Sequence, residues 1–224
     1  MKICSYNIQN KFIKHKDKTS DIIKFIKKYD LDILGLQEYL LKEVNKFKLD
    51  SYMCVGKGRL IRKNGMFNET CAIITNKEII YNKTHKLPWF FTTFPRIINE
   101  VSINSCKKEY LVINTHIDYL NKRCQKKQLN YIFNYLNNLD NKDNVILMGD
   151  FNLDLDSNIL SDFINNLSNI GINRVDISSK TYKNLDRPID HIFISKNIKL
   201  LDKKVIIDND FDISDHYPVY IEIK

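Results

Sequence analysis

The chain is poor in the residues that interrupt a fold. Its 224 residues include six glycines and four prolines, and none of them builds a flexible linker, an internal repeat or a low-complexity tract. A single catalytic domain spanning residues 1–224 is expected, long enough to bury roughly 70% of the surface its unfolded form would expose. The five cysteines are odd in number and unclustered, which fits a reduced compartment better than a disulfide framework. No apolar run nears the roughly 20 residues that a membrane-spanning helix needs. After Met1-Lys2 the chain enters the strand-like run Ile3-Cys4-Ser5-Tyr6-Asn7-Ile8 with no apolar signal region or cleavage site. An intracellular, cytoplasmic protein is the expectation. Three Asn-x-Ser/Thr sequons, at Asn68, Asn82 and Asn166, are what an asparagine-rich chain holds by chance.

What is abundant is positive charge: 35 Lys and Arg against 27 Asp and Glu give a formal +8. A basic surface favours polyanions such as nucleic acid or acidic lipid, although heavy use of Lys, Asn and Ile produces the same excess without any partner. The apolar pattern predicts strands at 2–8, 32–36, 71–75, 78–81, 97–103, 110–115, 145–148, 189–195 and 217–223. Helices are predicted where Ile22, Ile23 and Ile26 share a side behind a cap at Thr19 or Ser20, and where Leu129, Ile132, Phe133 and Leu136 recur at helical spacing. A further helix starts at Ser157 and buries Ile159, Leu160, Phe163 and Leu167. Strands outnumber helices and neighbour one another in sequence, so two packed, mainly antiparallel sheets with outer helices are expected, not a doubly wound parallel sheet.

Five of these apolar runs stop at a small set of acid, amide and imidazole residues: Tyr6-Asn7, Leu36-Gln37-Glu38, Asn114-Thr115-His116-Ile117-Asp118, Met148-Gly149-Asp150-Phe151-Asn152, and Ile189-Asp190-His191 with Ser214-Asp215-His216. Any one of them alone reads as readily as a turn. Strand ends hold polar side chains at fixed mutual positions, so together they make a candidate site. Glu38, Asp215 and the Asn7 amide are hard oxygen ligands that suit Mg²⁺ or Mn²⁺, and no cysteine has zinc spacing. There is no Ser-His-Asp spacing, no cysteine in a reactive context and no glycine-rich loop, so acyl transfer and nucleotide-dependent transfer lack their parts. Metal-assisted attack of water on a phosphate ester remains. Asp150-x-Asn152-x-Asp154 starts like an EF-hand loop, but Leu155 stands where that loop needs Gly and Ser161 where it needs Glu.

In this order the segments resemble the endonuclease/exonuclease/phosphatase family, whose members include deoxyribonuclease I, apurinic endonucleases, neutral sphingomyelinases and inositol-phosphate phosphatases. Tyr6-Asn7, Leu36-Gln37-Glu38, the Thr115-His116 segment, Gly149-Asp150-Phe151-Asn152, Asp190 before an apolar strand, and Ser214-Asp215-His216-Tyr217-Pro218 carry the likeness along the whole chain. The resemblance implies a four-layer α/β/β/α sandwich. It implies that Glu38, with Asn7 and Asp215, holds Mg²⁺, with Mn²⁺ as an alternative, and that Asp150 orients and deprotonates the attacking water while Asn152 positions it. It implies that His216, oriented by Asp190, and His116 donate to phosphate oxygens. Glu69 and Arg96 are weaker carry-overs, for substrate or the metal's surroundings, with an ordinary salt bridge as the alternative for each.

The family does not name a substrate. Tyr39-Leu40 after Gln37-Glu38 departs from the Thr-Lys of the apurinic branch, and no membrane hairpin or anchor is visible. The leading expectation is a Mg²⁺-dependent nuclease or nucleic-acid phosphodiesterase, a monomer by default. Its basic segment, residues 57–63, would track a phosphate backbone, and Trp89, Phe90 and Phe91 would either stack on a base or, the favoured reading, pack against the protein. A hydrolase of lipid or small phosphoesters is the runner-up, and an inactive binding module is the alternative from another class.

Overall fold

The computed structural model describes residues 1–10, 15–60, 68–90, 92 and 94–224. In chain order these form β1 (Lys2–Asn7), α1 (Thr19–Tyr29), β2 (Ile33–Leu40), α2 (Leu41–Val44), β3 (Met53–Val55), β4 (Glu69–Thr75), β5 (Glu78–Lys86), β6 (Ile97–Ser105) and β7 (Lys108–His116). They continue with α3 (Lys122–Asn137), β8 (Val145–Asp150), α4 (Asn158–Asn169), β9 (Ile172–Arg174), β10 (Asp190–Ser195), β11 (Leu200–Val205) and β12 (Val219–Ile223).

The strands make two six-stranded sheets, ordered β11-β12-β1-β2-β4-β3 and β5-β6-β7-β8-β10-β9. Neighbours are antiparallel except β1 with β2 and β7 with β8, the two places where a helix, α1 or α3, carries the chain across. Side-chain alternation sorts each strand between two environments. Ile3, Ile33, Ile73, Val112, Ile146, Met148, Ile192 and Ile221 meet between the sheets. Cys4, Tyr6, Leu34, Leu36 and Ile74 face α1, which buries Ile22, Phe25 and Ile26. Ile98, Ile113, Leu147 and Phe193 face α3 and α4 through Leu129, Ile132, Leu160 and Phe163. These three cores are the interfaces of a four-layer α/β/β/α sandwich, the expected architecture. Among the described residues no helix is long and apolar enough to cross a membrane.

Some local expectations shift. Phe25 takes the buried place expected of Ile23, and neither Thr19 nor Ser20 caps α1: the Asp17 carboxylate accepts the Thr19 N–H at 2.9 Å. The edge strands β3, β9 and β11 went unread because they are short or polar; β11 has the run Leu-Leu-Asp-Lys-Lys-Val and is largely exposed. Charge on such an edge deters pairing with a second sheet.

A candidate active site at the sheet ends

The inward parity of the central strands, continued past the apolar core, produces the site. In β8 the inward series Ile146, Met148 ends in Asp150; in β10 it begins at Asp190 before Ile192 and Ile194; in β7 Val112 and Asn114 lead to His116; in β1 Ile3 and Ser5 lead to Asn7. Register does the rest. Asp150 stands opposite His116 on one side and opposite Asp190 on the other, so three neighbouring strands of one sheet present imidazole, carboxylate and carboxylate side by side. Gly149 makes this possible: at φ +151° its missing Cβ would lie 2.1 Å from the Thr115 carbonyl oxygen, an approach open to glycine alone.

Glu38 arrives differently. Ile33, Gly35 and Gln37 face inward on β2, and strict alternation would turn Glu38 outward toward α1. A bulge between Gln37 and Tyr39, opposite β4, puts Glu38 at φ +60° and returns its carboxylate to the sheet ends. There Glu38 Oε1 and Asp150 Oδ2 accept hydrogen bonds from the Asn7 amide nitrogen at 3.2 and 2.9 Å, and Glu38 Oε2 accepts from the Asn10 N–H at 2.6 Å. Asp215 lies in the loop before β12 and accepts from Gln9 Nε2 at 2.5 Å, while the Gln9 N–H donates to Asn7 Oδ1.

His216 follows Asp215. Its Nδ1 donates to Asp190 Oδ2 at 2.9 Å, and its Nε2 lies 3.8 Å from Asp150 Oδ2. Burial would lower the His216 imidazole, but the charge and hydrogen bond of Asp190, with Asp150 and Asp215, raise it to about 10; His216 is a cation at neutral pH. Asp150 is pushed up to about 7, first by burial and then by the Asp190 carboxylate. His116 behaves oppositely. Burial, then the guanidiniums of Arg96 and Arg59, hold it well below the ordinary histidine range, so it is neutral. Its Nδ1 lies 3.0 Å from Arg96 Nη1. A guanidinium only donates, so Nδ1 accepts and the ring proton sits on Nε2, 3.5 Å from Asp150 Oδ2.

Asn152, at φ +51°, gives its side-chain N–H to the Ile117 carbonyl at 2.9 Å, and its backbone N–H to Asp150 Oδ1 at 2.8 Å. Glu69 is paired with Arg59 at 2.8 Å and with Asn10 Nδ2 at 3.0 Å, which is the salt-bridge alternative for that residue. Asn7, Glu38, Glu69, Arg96, His116, Asp150, Asn152, Asp215 and His216 all line one cleft of about 670 Å³; Asp190 stands behind His216.

A family model described as "Endonuclease/Exonuclease/phosphatase family" matches residues 4–216. The chain belongs to this family. The family is one of divalent-metal-dependent phosphoester hydrolases, and the fold of its solved members is the one seen here. The mannosyl-6-phosphatase Bt3783 of Bacteroides thetaiotaomicron shares 22% identity with this member over 100% of the chain and 99% of its own, with a TM-score of 0.79. The human Nocturnin catalytic domain, solved with a bound sulfate anion, is 16% identical over 100% and 94%, TM-score 0.77. A D. rerio TDP2 humanized by 14 mutations is 16% identical over 100% and 98%, TM-score 0.74. No curated protein matches this family member in sequence.

The donor set fits a hard divalent cation. Two carboxylates share one amide, a third is tied to it through Gln9, and Asp190 Oδ1 is buried with no hydrogen-bond donor among the described residues. Ligand-bearing atoms of Asp150, Asp190 and His216 also lie within 4.8 Å of one another, but His216 and Asp190 already satisfy each other there as an ion pair.

Several supporting residues escaped the sequence reading. Gln9 and Asn10 hold Asp215, Glu38 and Glu69. Tyr182, whose ring lies 4.9 Å from that of His216, is another, while Ser214, named in its motif without a role, donates its Oγ–H to the Asn7 carbonyl at 2.6 Å. The amides Gln9-Asn10 directly follow a motif strand, a signal that was available; nothing local marks Tyr182. Two readings need correcting. Arg59, expected to track a backbone, is buried against Glu69 and over the Phe94 ring; Ile61, Arg62 and Lys63 of that segment lie outside the described residues, as does Phe91. His191, beside Asp190, faces the helices instead of the cleft, with its Nε2 2.9 Å from the Leu153 carbonyl.

Proposed function

We propose that the chain is a divalent-metal-dependent phosphodiesterase whose substrate is nucleic acid. The observation that carries this reading is the in-register row His116, Asp150, Asp190 with cationic His216 clamped above it, at the floor of an open cleft. Asp150, poised near neutrality, orients water and takes its proton. Asn152 is anchored beside it to position water and phosphate. His216 gives its Nε2 proton as a hydrogen bond to a non-bridging oxygen, and neutral His116 offers a second N–H to the same developing charge. Asn7, Glu38 and Asp215 would hold Mg²⁺ or Mn²⁺. When bound, that cation supplies positive charge that polarises the phosphate and stabilises the leaving oxygen.

Nucleic acid is favoured as substrate by the +8 charge and by the aromatic rim of the cleft, where Tyr119 and Tyr182 stand. Nocturnin and TDP2 share this fold. The test is release of acid-soluble nucleotides from plasmid and oligonucleotide with Mg²⁺. Asp150→Ala and Glu38→Ala should each lower turnover by on the order of 10²–10⁴-fold. Activity confined to sugar or lipid phosphates would overturn the nucleic-acid assignment. The end-to-end match to a mannosyl-6-phosphatase favours a sugar phosphate as the second reading.

A further inference from the structure

The segment that leaves β1, residues 7–10, touches every side chain proposed to hold the cation. Asn7 is one of them. The Gln9 N–H donates to Asn7 Oδ1 at 3.0 Å, Gln9 Nε2 donates to Asp215, and the Asn10 N–H donates to Glu38 Oε2 at 2.6 Å. This short segment therefore sets Asn7, Glu38 and Asp215 relative to one another. Its own backbone is unfavourable: Gln9 sits at φ +51°, a region sparsely populated outside glycine. It depends on contacts from elsewhere, and these come from the polar run His15-Lys16-Asp17-Lys18 at the entry to α1. Lys18 Nζ donates to the Ile8 and Gln9 carbonyls, the latter at 2.8 Å. His15 takes the Asn10 side chain. Asn10 Nδ2 is committed to Glu69 Oε1 at 3.0 Å, so the amide turns its oxygen to the imidazole, and His15 Nδ1 donates to it at 3.0 Å. On the far side of the ring, Nε2 lies 2.5 Å from Glu43 Oε1, and the two atoms share one proton. The His15 and Glu43 side chains are only 13% and 2% exposed.

We propose that His15 is a positioning residue for the metal site: braced against Glu43, it clamps Asn10 from behind and so fixes the bulged Glu38 against Asn7 and Asp215. The contacts close a ring. Glu38 accepts from Asn10, Asn10 from His15, and His15 is held by Glu43, which lies on α2, directly after the strand that carries Glu38. A carboxylate buried as deeply as Glu43 is costly unless it is paired, and a charge-assisted contact in a desolvated place is a stiff one. His15 does not line the cleft, so its effect on the cation passes through Asn10. The proposal rests on the assignment of Asn7, Glu38 and Asp215 as the ligands. The same run also anchors α1, through the Asp17 carboxylate that accepts the Thr19 N–H, which provides a control for stability alone.

The test is Mn²⁺ binding to the EDTA-stripped chain, read from the free-ion signal in electron paramagnetic resonance, with Tm measured on the same stripped samples. His15→Ala should raise the Mn²⁺ Kd about 10-fold, the lower end for residues that orient a metal ligand. Glu43→Gln keeps the volume but leaves a neutral contact. It should raise Kd about 3-fold, since hydrogen bonds to an ionised partner are roughly twice as strong as neutral ones, and it carries the test if His15→Ala does not fold. Asp17→Ala should lower Tm and leave Kd where it was. An unchanged Kd in both His15→Ala and Glu43→Gln overturns the proposal. So does an equal rise in Asp17→Ala, which would trace the effect to the stability of α1. Glu38→Gln separates the clamp from the reading beneath it. If Glu38→Gln binds Mn²⁺ as tightly as the parent, the ligand assignment fails and the clamp falls with it. If Glu38→Gln loses affinity while the His15 and Glu43 variants keep it, the clamp alone fails.

Discussion

Arg96 decides which nitrogen of His116 carries a proton. Its guanidinium occupies Nδ1 at 3.0 Å, and without it the imidazole is free to turn its proton away from the cleft. Arg96→Met should therefore lower kcat by about 10- to 100-fold, in the range typical of residues that orient a ligand or donor, with Tm little changed and the His116 ring shifted to the other tautomer by ¹⁵N NMR. At this scale the sequence was legible wherever a polar residue directly ended an apolar run, as at Asn7, Asp150 and His116. It was not legible at Gln37 and Asn114, which sit in the same motifs yet face the interior. Gln37 Nε2 donates to Asn114 Oδ1 at 2.6 Å and Asn114 Nδ2 to the Leu36 and Ala72 carbonyls, a polar bridge between the sheets below the site. Asn114→Leu should cost about 2 kcal/mol or more in urea unfolding, because it removes the buried donor to the Leu36 and Ala72 carbonyls and leaves the Gln37 amide with Ser5 Oγ alone.

Two elements set the precision of the site by their ends. β8 approaches β7 so closely at Gly149 that Gly149→Ala meets backbone, not a side chain that could swing away. The strands must part there, and the variant should lose at least about 2 kcal/mol of stability together with most activity, since Asp150 is the next residue. Helix α3 is held at its start by Asn121, whose side chain accepts from the Arg123 and Cys124 N–H groups at 3.0 and 3.1 Å. Asn121→Ala should lower stability by about 1 kcal/mol, read as a modest fall in Tm. The helices α1, α3 and α4 were visible in the sequence from apolar spacing and start residues, whereas the single turn of α2 was not. The bulge that redirects Glu38 was not, because it depends on how β2 is paired with β4, across thirty-odd residues of chain.

For the molecule as a whole, buried charge ties stability to solution conditions. Burial among Phe151 and Phe193, with Arg174 beside it, lowers His191 from 6.5 to about 4. The unfolded chain takes up this proton first. The contribution is therefore complete above pH 6.5 and lost as pH falls toward 4, up to about 3 kcal/mol. Urea unfolding at pH 7 and pH 4.5 should show a smaller drop for His191→Gln than for the parent. Conversely, the crowded carboxylates at the sheet ends predict that Mg²⁺ at a hundred times its Kd stabilises the chain by about 2.7 kcal/mol. EDTA should reverse the rise in Tm, and Glu38→Gln should largely remove it.

Sequence alone determined the layers and the cast of side chains. Alternation and helical spacing are local properties of the chain, and so is the habit of placing an acid, amide or imidazole where an apolar run stops. Tertiary structure decided which of those residues meet. His116, Asp150 and Asp190 become one row through strand register, Glu38 joins them through a bulge, and His191 is excluded by facing the other way. Each of these depends on pairing between segments far apart in the chain, which no local pattern encodes.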